Sequence, residues 1–429
     1  MKIFLGFNKK KNIFVFVIGL LTYIQIQVMG TFGIAELIAL AAFPFIRPFQ
    51  QFKELRVKKL SNYLLLGIFG LIISNFYNDV SLDKSLKGTF FLIMLYIDIP
   101  FVYWMLKDNY RRIFFYLAGY ALSNILAFLF FPTSALSSLI ELADGNTSDL
   151  FSAYLVYFLQ PSAVFIAAIL YYNNKKTLAI FVIQLFAFFA LFNSSRNIFL
   201  VWSIVTFILL ILGKTSTRNS SFKIRKLRKK LPIIFVLLIV CLMSLKVVYE
   251  SLASDGSLGE KAKNKYFKQK YESGDVGLFS SRIEFLVALK AISESPIFGY
   301  GSYPNDETNL KLRTYKDFGL SPKNINSFKM RLSGHSHILN SYLYGGFLGI
   351  FFWIYAMRIV ILFFKKHLFY DPKMTALFTI MSLSWAWDYF FSPFAFRLQE
   401  SIFLITIILT IKSSENSKKY VGRNTINKH

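Results

Sequence analysis

The stretch "GTFFLIMLYIDIPFVYWML", residues 88–106, decides the fold class. It carries one charge, Asp98, and as a helix it is long enough to cross the roughly 30 Å hydrocarbon core of a bilayer. Apolar runs of similar length recur through the 429 residues, which are 55% hydrophobic and 18% aromatic, with Phe in conspicuous excess. A soluble domain has no use for repeated runs of this kind. The sequence therefore predicts an all-α integral membrane protein.

Outward from that run, hydropathy places about twelve transmembrane helices, near 12–30, 31–47, 61–77, 88–106, 113–131, 151–172, 177–194, 197–213, 231–249, 338–364, 374–392 and 395–411. The start, "MKIFLGFNKKKNIFVFVIGLLTYIQIQVMG", has the basic end and apolar stretch of a signal peptide but no small-x-small cleavage site, so a retained first span is expected. The expected organisation is spans one to nine over 1–249, an outer loop over 250–337, spans ten to twelve over 338–411, and a basic cytoplasmic tail over 412–429.

Charge in the loops sets the orientation. The connections "RPFQQFKELRVKK", "KDNYRR", "NNKK", "GKTSTRNSSFKIRKLRKK" and "KKHLFYDPK" are all basic, as is the tail "KSSENSKKYVGRNTINKH". The opposite connections are "MGTFG", the nearly balanced "NFYNDVSLDKSLK", and 132–150, which has no Lys or Arg. Under the positive-inside rule both termini are cytoplasmic. The net charge of +26 is thereby a matter of topology, and no nucleic-acid partner is expected. Cys241, the single cysteine, lies in an apolar run and can form neither an intrachain disulfide nor a thiolate cluster.

One outer connection is long. Residues 250–337 hold thirteen Lys/Arg against ten Asp/Glu, and long loops translocate largely regardless of charge. The amphipathic stretch "SSRIEFLVALKAISES" predicts a short helix there, and the loop's length favours function. No internal repeat is visible, which argues against the matched halves common in transporters.

Candidate chemistry lies at the membrane ends of this loop. In "GHSHILNSYLYGGFLG", residues 334–349, two of the four histidines, His335 and His337, stand where the loop re-enters an apolar run. Imidazole can take a proton from a hydroxyl near neutral pH. The alternative is a polar cap on an apolar helix, with Gly345, Gly346 and Gly349 allowing close packing. No Asp, Glu or Cys lies nearby to complete a metal shell, so no metal site is expected. "LFNSSRNIFL" places Arg196 at the outer end of two apolar runs, as a functional cation or an interfacial anchor.

Ser281 and Glu284 form a capping-box pattern that puts Arg282 in a first helical turn, where free N–H groups and a guanidinium favour phosphate. In "SPIFGYGSYPN" the G-x-G lacks a third glycine and reads as a tight turn. The basic run "EKAKNKYFKQK" reads as a solvated helix face. Glu36, Asp98, Lys246, Arg358 and Asp388 fall in or beside spans without assignable partners.

The order of "NSSRNIFL" between two spans, then "SRIEFLVALKAISESPIFGYG" in a long outer loop, then "GHSHILNSYLYGGFLG" at its return resembles the O-antigen polymerase and O-antigen ligase family of bacterial membrane glycosyltransferases. The resemblance is specific over about residues 190–355 and topological elsewhere. It implies that Arg196 and Arg282 bind the pyrophosphate of an undecaprenyl-linked glycan, and that a histidine about eleven residues before the G-x-x-G turn is the base. Counting back from Gly346 selects His335, with His337 in a supporting role. The sequence departs from the ligase-like pattern in "HSHILN", where an Asn directly after the histidine is more usual.

The resemblance further implies inverting transfer without metal, cofactor or nucleotide sugar, on the periplasmic side of the bacterial inner membrane. Its partners would be lipid-linked glycan donor and acceptor, membrane lipid and a chain-length regulator protein. The expected activity is polymerase. Transfer to the lipid A core, as by a ligase, is the alternative, and a transporter or flippase of lipid-linked sugars a further one.

Overall fold

The computed structural model describes residues 9–27, 31–130, 147–193, 195–213, 247, 250–257, 259–260, 263–264, 266–267, 283–317, 332–334, 336–366, 371–392, 394 and 397–426. It divides into two compact units, one built from 1–123, 278–370 and 385–429, the other from 124–277 and 371–384.

The first unit opens with helix α1 (Lys9–Leu21), a two-stranded antiparallel hairpin of β1 (Gln25–Gln27) and β2 (Thr31–Gly33), and helix α2 (Ile34–Ala42). After the single turn α3 (Pro48–Gln51) come α4 (Leu55–Tyr77) and α5 (Leu82–Leu106). These two form a hairpin: the Asn78 amide donates to the Ser74 carbonyl at 2.8 Å, and Asp79 turns the chain with φ of 49°. A 3-10 turn (Tyr110–Arg112) then leads into α6 (Ile113–Phe130). Helices α1 and α6 cross with backbones in contact, since a Cβ on Gly19 would lie 2.2 Å from the Tyr116 carbonyl oxygen.

The second unit contains α7 (Thr147–Tyr172), α8 (Lys176–Phe192) and α9 (Arg196–Gly213), packed in sequence order. Trp202 of α9 is fully buried against Phe186 of α8, with ring centroids 4.5 Å apart.

The long connection carries two short helices, α10 (Ile283–Glu294) and α11 (Leu310–Asp317), and the amphipathic stretch of the sequence forms the first of them. Next come α12 (His337–Gly349), α13 (Phe351–Lys366), α14 (Thr375–Phe391) and α15 (Arg397–Ile426). Helix α15 lies along α5 and also touches α13.

The protein is thus built almost wholly of helices, several of them fit to cross a membrane. The count differs from the expected twelve. Among the described residues four helices have the length and apolarity to span, and a fifth if the bent pair α12–α13 is one span. The reasons are local.

The expected span 12–30 ends at Leu21, where the chain turns (Thr22 N–H to the Gly19 carbonyl, 3.3 Å) and enters the hairpin. The expected span 31–47 shrinks to nine residues, about 14 Å of helix. Glu36 caps its start by accepting from the Gly33 N–H at 3.1 Å, and left-handed Arg47 before Pro48 follows its end. The expected span 338–364 bends by 112° between α12 and α13. Helices α8 and α14, with 17 residues each, are shorter than their assigned spans. The expected span 231–249 lies almost wholly outside the described residues, and Lys246 with it.

Candidate active site

The loop's return is built on a small core. Val287 and Ala291 of α10, Leu310 of α11, Leu332 ahead of α12 and Leu343 within it bury one another, with Tyr300 and Tyr344 packed against them. Ion pairs from Lys290 to Asp317, and from Glu294 to Arg313 at 3.3 Å, add a second tie between α10 and α11. Asp306 starts α11 by accepting from the Leu310 and Lys311 N–H groups at 2.6 and 2.9 Å. Burial pulls the Lys311 ammonium below the usual lysine range, partly offset by the carboxylates of Glu284, in the first turn of α10, and Asp306.

The bend in α12 is satisfied by the segment after α10. Gly346 leaves helical geometry (φ 61°, ψ −154°) and so frees backbone groups within the helix. Residues 297–302 take them up: the Tyr300 N–H donates to the Leu343 carbonyl at 2.7 Å and the Gly301 N–H to the Tyr344 carbonyl at 3.1 Å. In return the Phe347 N–H donates to the Ile297 carbonyl at 3.0 Å. Both crossing points require glycine. Gly299 has φ of 70° and a Cβ there would lie 2.6 Å from the Leu343 oxygen; at Gly346 it would lie 2.0 Å from the Ile297 oxygen.

The G-x-G is therefore more than the tight turn read from sequence. It straps α10 to α12. The far edge of the strap is held by α4, where Asn75 Oδ1 accepts from the Ser302 N–H at 2.7 Å and the Asn78 amide donates to the Gly299 carbonyl at 3.2 Å. The Tyr77 ring stacks on Phe298 with centroids 4.3 Å apart. Helix α12 itself runs tightly along α4, since a Cβ on Gly70 would lie 2.7 Å from the Gly345 carbonyl oxygen.

The histidine turn is anchored on both sides. The Gly334 N–H donates to Asn340 Oδ1 at 2.6 Å. Ser336 is the N-cap of α12: its hydroxyl accepts from the Leu339 N–H at 3.3 Å and donates to the Tyr389 carbonyl at 2.9 Å. Gly334 also lies against α10, where its Cβ would stand 2.8 Å from the Ala288 Cβ. The chain position next to His335 thus touches the helix that Arg282 precedes in sequence.

His337 is the first residue of α12 and is 3% exposed. Its ring sits 4.9 Å from Trp353 and 5.3 Å from Phe394, and those two rings meet edge to face at 4.8 Å. Trp353 donates its indole N–H to the Ser341 hydroxyl. His337 is therefore a buried member of an aromatic box. His335 and Arg282 lie outside the described residues, and so does Ser281 of the capping box. Arg196 begins α9 in the second unit; its side chain is outside the description.

No protein-family model matches this chain, and no curated protein matches it either. The resemblance rests on the motifs alone.

Several residues that build the site carried weak signals in the sequence. Ser336 ahead of an apolar run is a helix-start signal of the ordinary kind. Asn75 and Asn78 in "NFYN" mark a turn, but nothing local points from them to a loop more than two hundred positions away. Among the described residues no group of three His, Cys, Asp or Glu is placed to hold a metal ion.

What the arrangement offers chemically is a fastened polar turn. The positions on either side of His335 in sequence, Gly334 and Ser336, are each held by hydrogen bonds, and Gly334 lies against a helix that an arginine precedes in sequence.

Proposed function

We propose that this protein is an O-antigen polymerase, joining undecaprenyl-pyrophosphate-linked repeat units at the periplasmic face of the bacterial inner membrane, with both termini in the cytoplasm. The observation that carries the reading is the contact of Gly334 with Ala288, backed by the shared core of α10, α11 and α12. It packs the two loop motifs of the resemblance against one another.

In this reading His335 takes the proton from an acceptor hydroxyl. The hydroxyl oxygen attacks the anomeric carbon of the donor sugar from the face opposite the pyrophosphate, and the configuration inverts. The bond from that carbon to the phosphate oxygen breaks, and the electron pair leaves with undecaprenyl pyrophosphate. Arg282 and Arg196 bind the pyrophosphate oxygens as their charge grows, a task suited to the planar fork of a guanidinium. The pyrophosphate is already a good leaving group, so no nucleotide sugar is needed. His337, enclosed by Trp353 and Phe394, supports the turn, which agrees with ranking His335 as the base.

The test is the lipopolysaccharide ladder of a deletion strain. Loss of a polymerase leaves a single rung, because a ligase still attaches one repeat unit. If no rung appears above the core while long lipid-linked glycan accumulates, the protein is a ligase. An unchanged ladder refutes both.

A further inference from the structure

A second cluster of charge lies inside the first unit, away from the histidine turn in sequence. Glu36 and Arg397, separated by 361 positions, form a two-pronged ion pair: Nε to Oε1 at 2.9 Å and Nη2 to Oε2 at 2.7 Å. Both side chains are buried, and the guanidinium lies over the rings of Phe91 and Phe32, 4.3 and 5.0 Å from their centroids. Glu36 is fixed further by the Gly33 N–H.

Asp98 is the third member. It sits in α5, is 0% exposed, and neither of its carboxylate oxygens has a hydrogen-bond partner among the described residues. It lies near enough for Glu36 to repel its charge and for Arg397 to attract it. The Tyr116 phenol of α6 is buried near both carboxylates. Among the described residues, the titratable groups that act on it are Glu36 from α2, Arg397 from α15 and Tyr116 from α6.

Charge arithmetic then decides the matter. Two carboxylates against one guanidinium leave one negative charge, and the guanidinium's fork is already turned on Glu36. A buried carboxylate with no hydrogen bond and no full counter-charge is strongly disfavoured. In a span such a residue is functional by default, and such groups carry proton relays and ion paths. The site leaves a single negative charge uncancelled, which a monovalent ion matches and a divalent ion would overshoot.

We propose that Asp98, beside the Glu36–Arg397 pair, is a binding site for one monovalent cation, a proton or a sodium ion. The cation cancels the excess charge and lets α2, α5 and α15 pack around the pair. The site is independent of the glycosyl-transfer reading and stands or falls without it.

The full-length protein in detergent provides the test. Its melting temperature is followed from acid to alkaline pH, with sodium chloride or with choline chloride at equal ionic strength. A bound proton stabilises the fold at low pH and is lost as pH rises, so in choline the melting temperature should fall by several degrees toward alkaline pH. If sodium restores it, the resident ion is sodium; if sodium does nothing, it is the proton. In Asp98→Asn the pH and sodium responses should both disappear.

A second measurement uses the unaltered chain, in case that variant fails to fold. A membrane-soluble carbodiimide reacts with buried protonated carboxyls and should label the peptide holding Asp98 at acid pH. Alkaline pH or added sodium should suppress that labelling several-fold more than it suppresses labelling of other carboxyls. The proposal fails if the responses persist in Asp98→Asn, if the wild-type protein ignores both pH and sodium, or if Asp98 is never labelled preferentially.

Discussion

The strap at the loop's return and the buried pair of Glu36 and Arg397 handle polar groups in opposite ways. At the return, chain outside the regular helices is pinned by neutral hydrogen bonds: amides of Tyr300 and Gly301 on carbonyls of α12, and Asn75 and Asn78 on the strap. Inside the bundle, full charges are paired in a two-pronged geometry and roofed by phenylalanine rings. The first design fixes a backbone and leaves side chains available for chemistry. The second commits its side chains to one another and leaves a carboxylate, Asp98, over. Neutral bonds of about 1 kcal/mol each suffice to fix a backbone, and a buried ion pair holds only while both partners remain.

The comparison can be broken most severely at Gly346. A Cβ there meets the Ile297 carbonyl, and φ is positive, so Gly346→Ala should cost more than about 4 kcal/mol and abolish stable protein. Near-normal expression and melting in that variant would show that the strap is dispensable.

The next largest effect belongs to the buried pair. Arg397→Met leaves the buried Glu36 carboxylate without its counter-charge and should destabilise by about 3–5 kcal/mol. Adding Asp98→Asn to it should give a loss that is not the sum of the two, because Asp98 and Arg397 answer to the same excess charge. Strict additivity in melting experiments would separate Asp98 from the pair.

Arg282→Lys and Arg196→Lys keep charge and lose the fork. Each should lower transfer activity about a hundredfold while leaving melting unchanged. Wild-type rates in both lysine variants would remove the pyrophosphate role.

Ser336→Ala removes the cap of α12 and its bond to Tyr389, a loss of about 1 kcal/mol. A loss as large as that of Arg397→Met would mean that the histidine turn is held by charge-like strength after all.

Much of this molecule was readable from residues in a row. The run 88–106 lies inside α5, and "SSRIEFLVALKAISES" became α10, because apolar periodicity reports the face a helix buries. The failures have a common cause. Hydropathy averages over a window and is blind to single residues that break a helix. The hairpin after Leu21 divided the first apolar segment, and Gly346 bent the tenth span where the Ile297 carbonyl comes close.

The partner of Glu36 was invisible for a related reason. Arg397 is remote in sequence, and no local pattern announces it. At the candidate site the histidine turn and its helix were legible as motifs. Their fastening by Asn75, Asn78 and Ser336 was not, since capping and strap bonds depend on where the chain returns.

The central claim is that a histidine in the fastened turn drives metal-independent transfer between two lipid-linked glycans. It is tested most directly by the purified full-length protein, given undecaprenyl-pyrophosphate-linked repeat units alone in the presence of a chelator. The account predicts that the wild-type chain lengthens the glycan and releases undecaprenyl pyrophosphate, while folded His335→Ala does neither and His337→Ala retains part of the activity. Polymer formed equally by His335→Ala, or formed only after a divalent ion is restored, would contradict it.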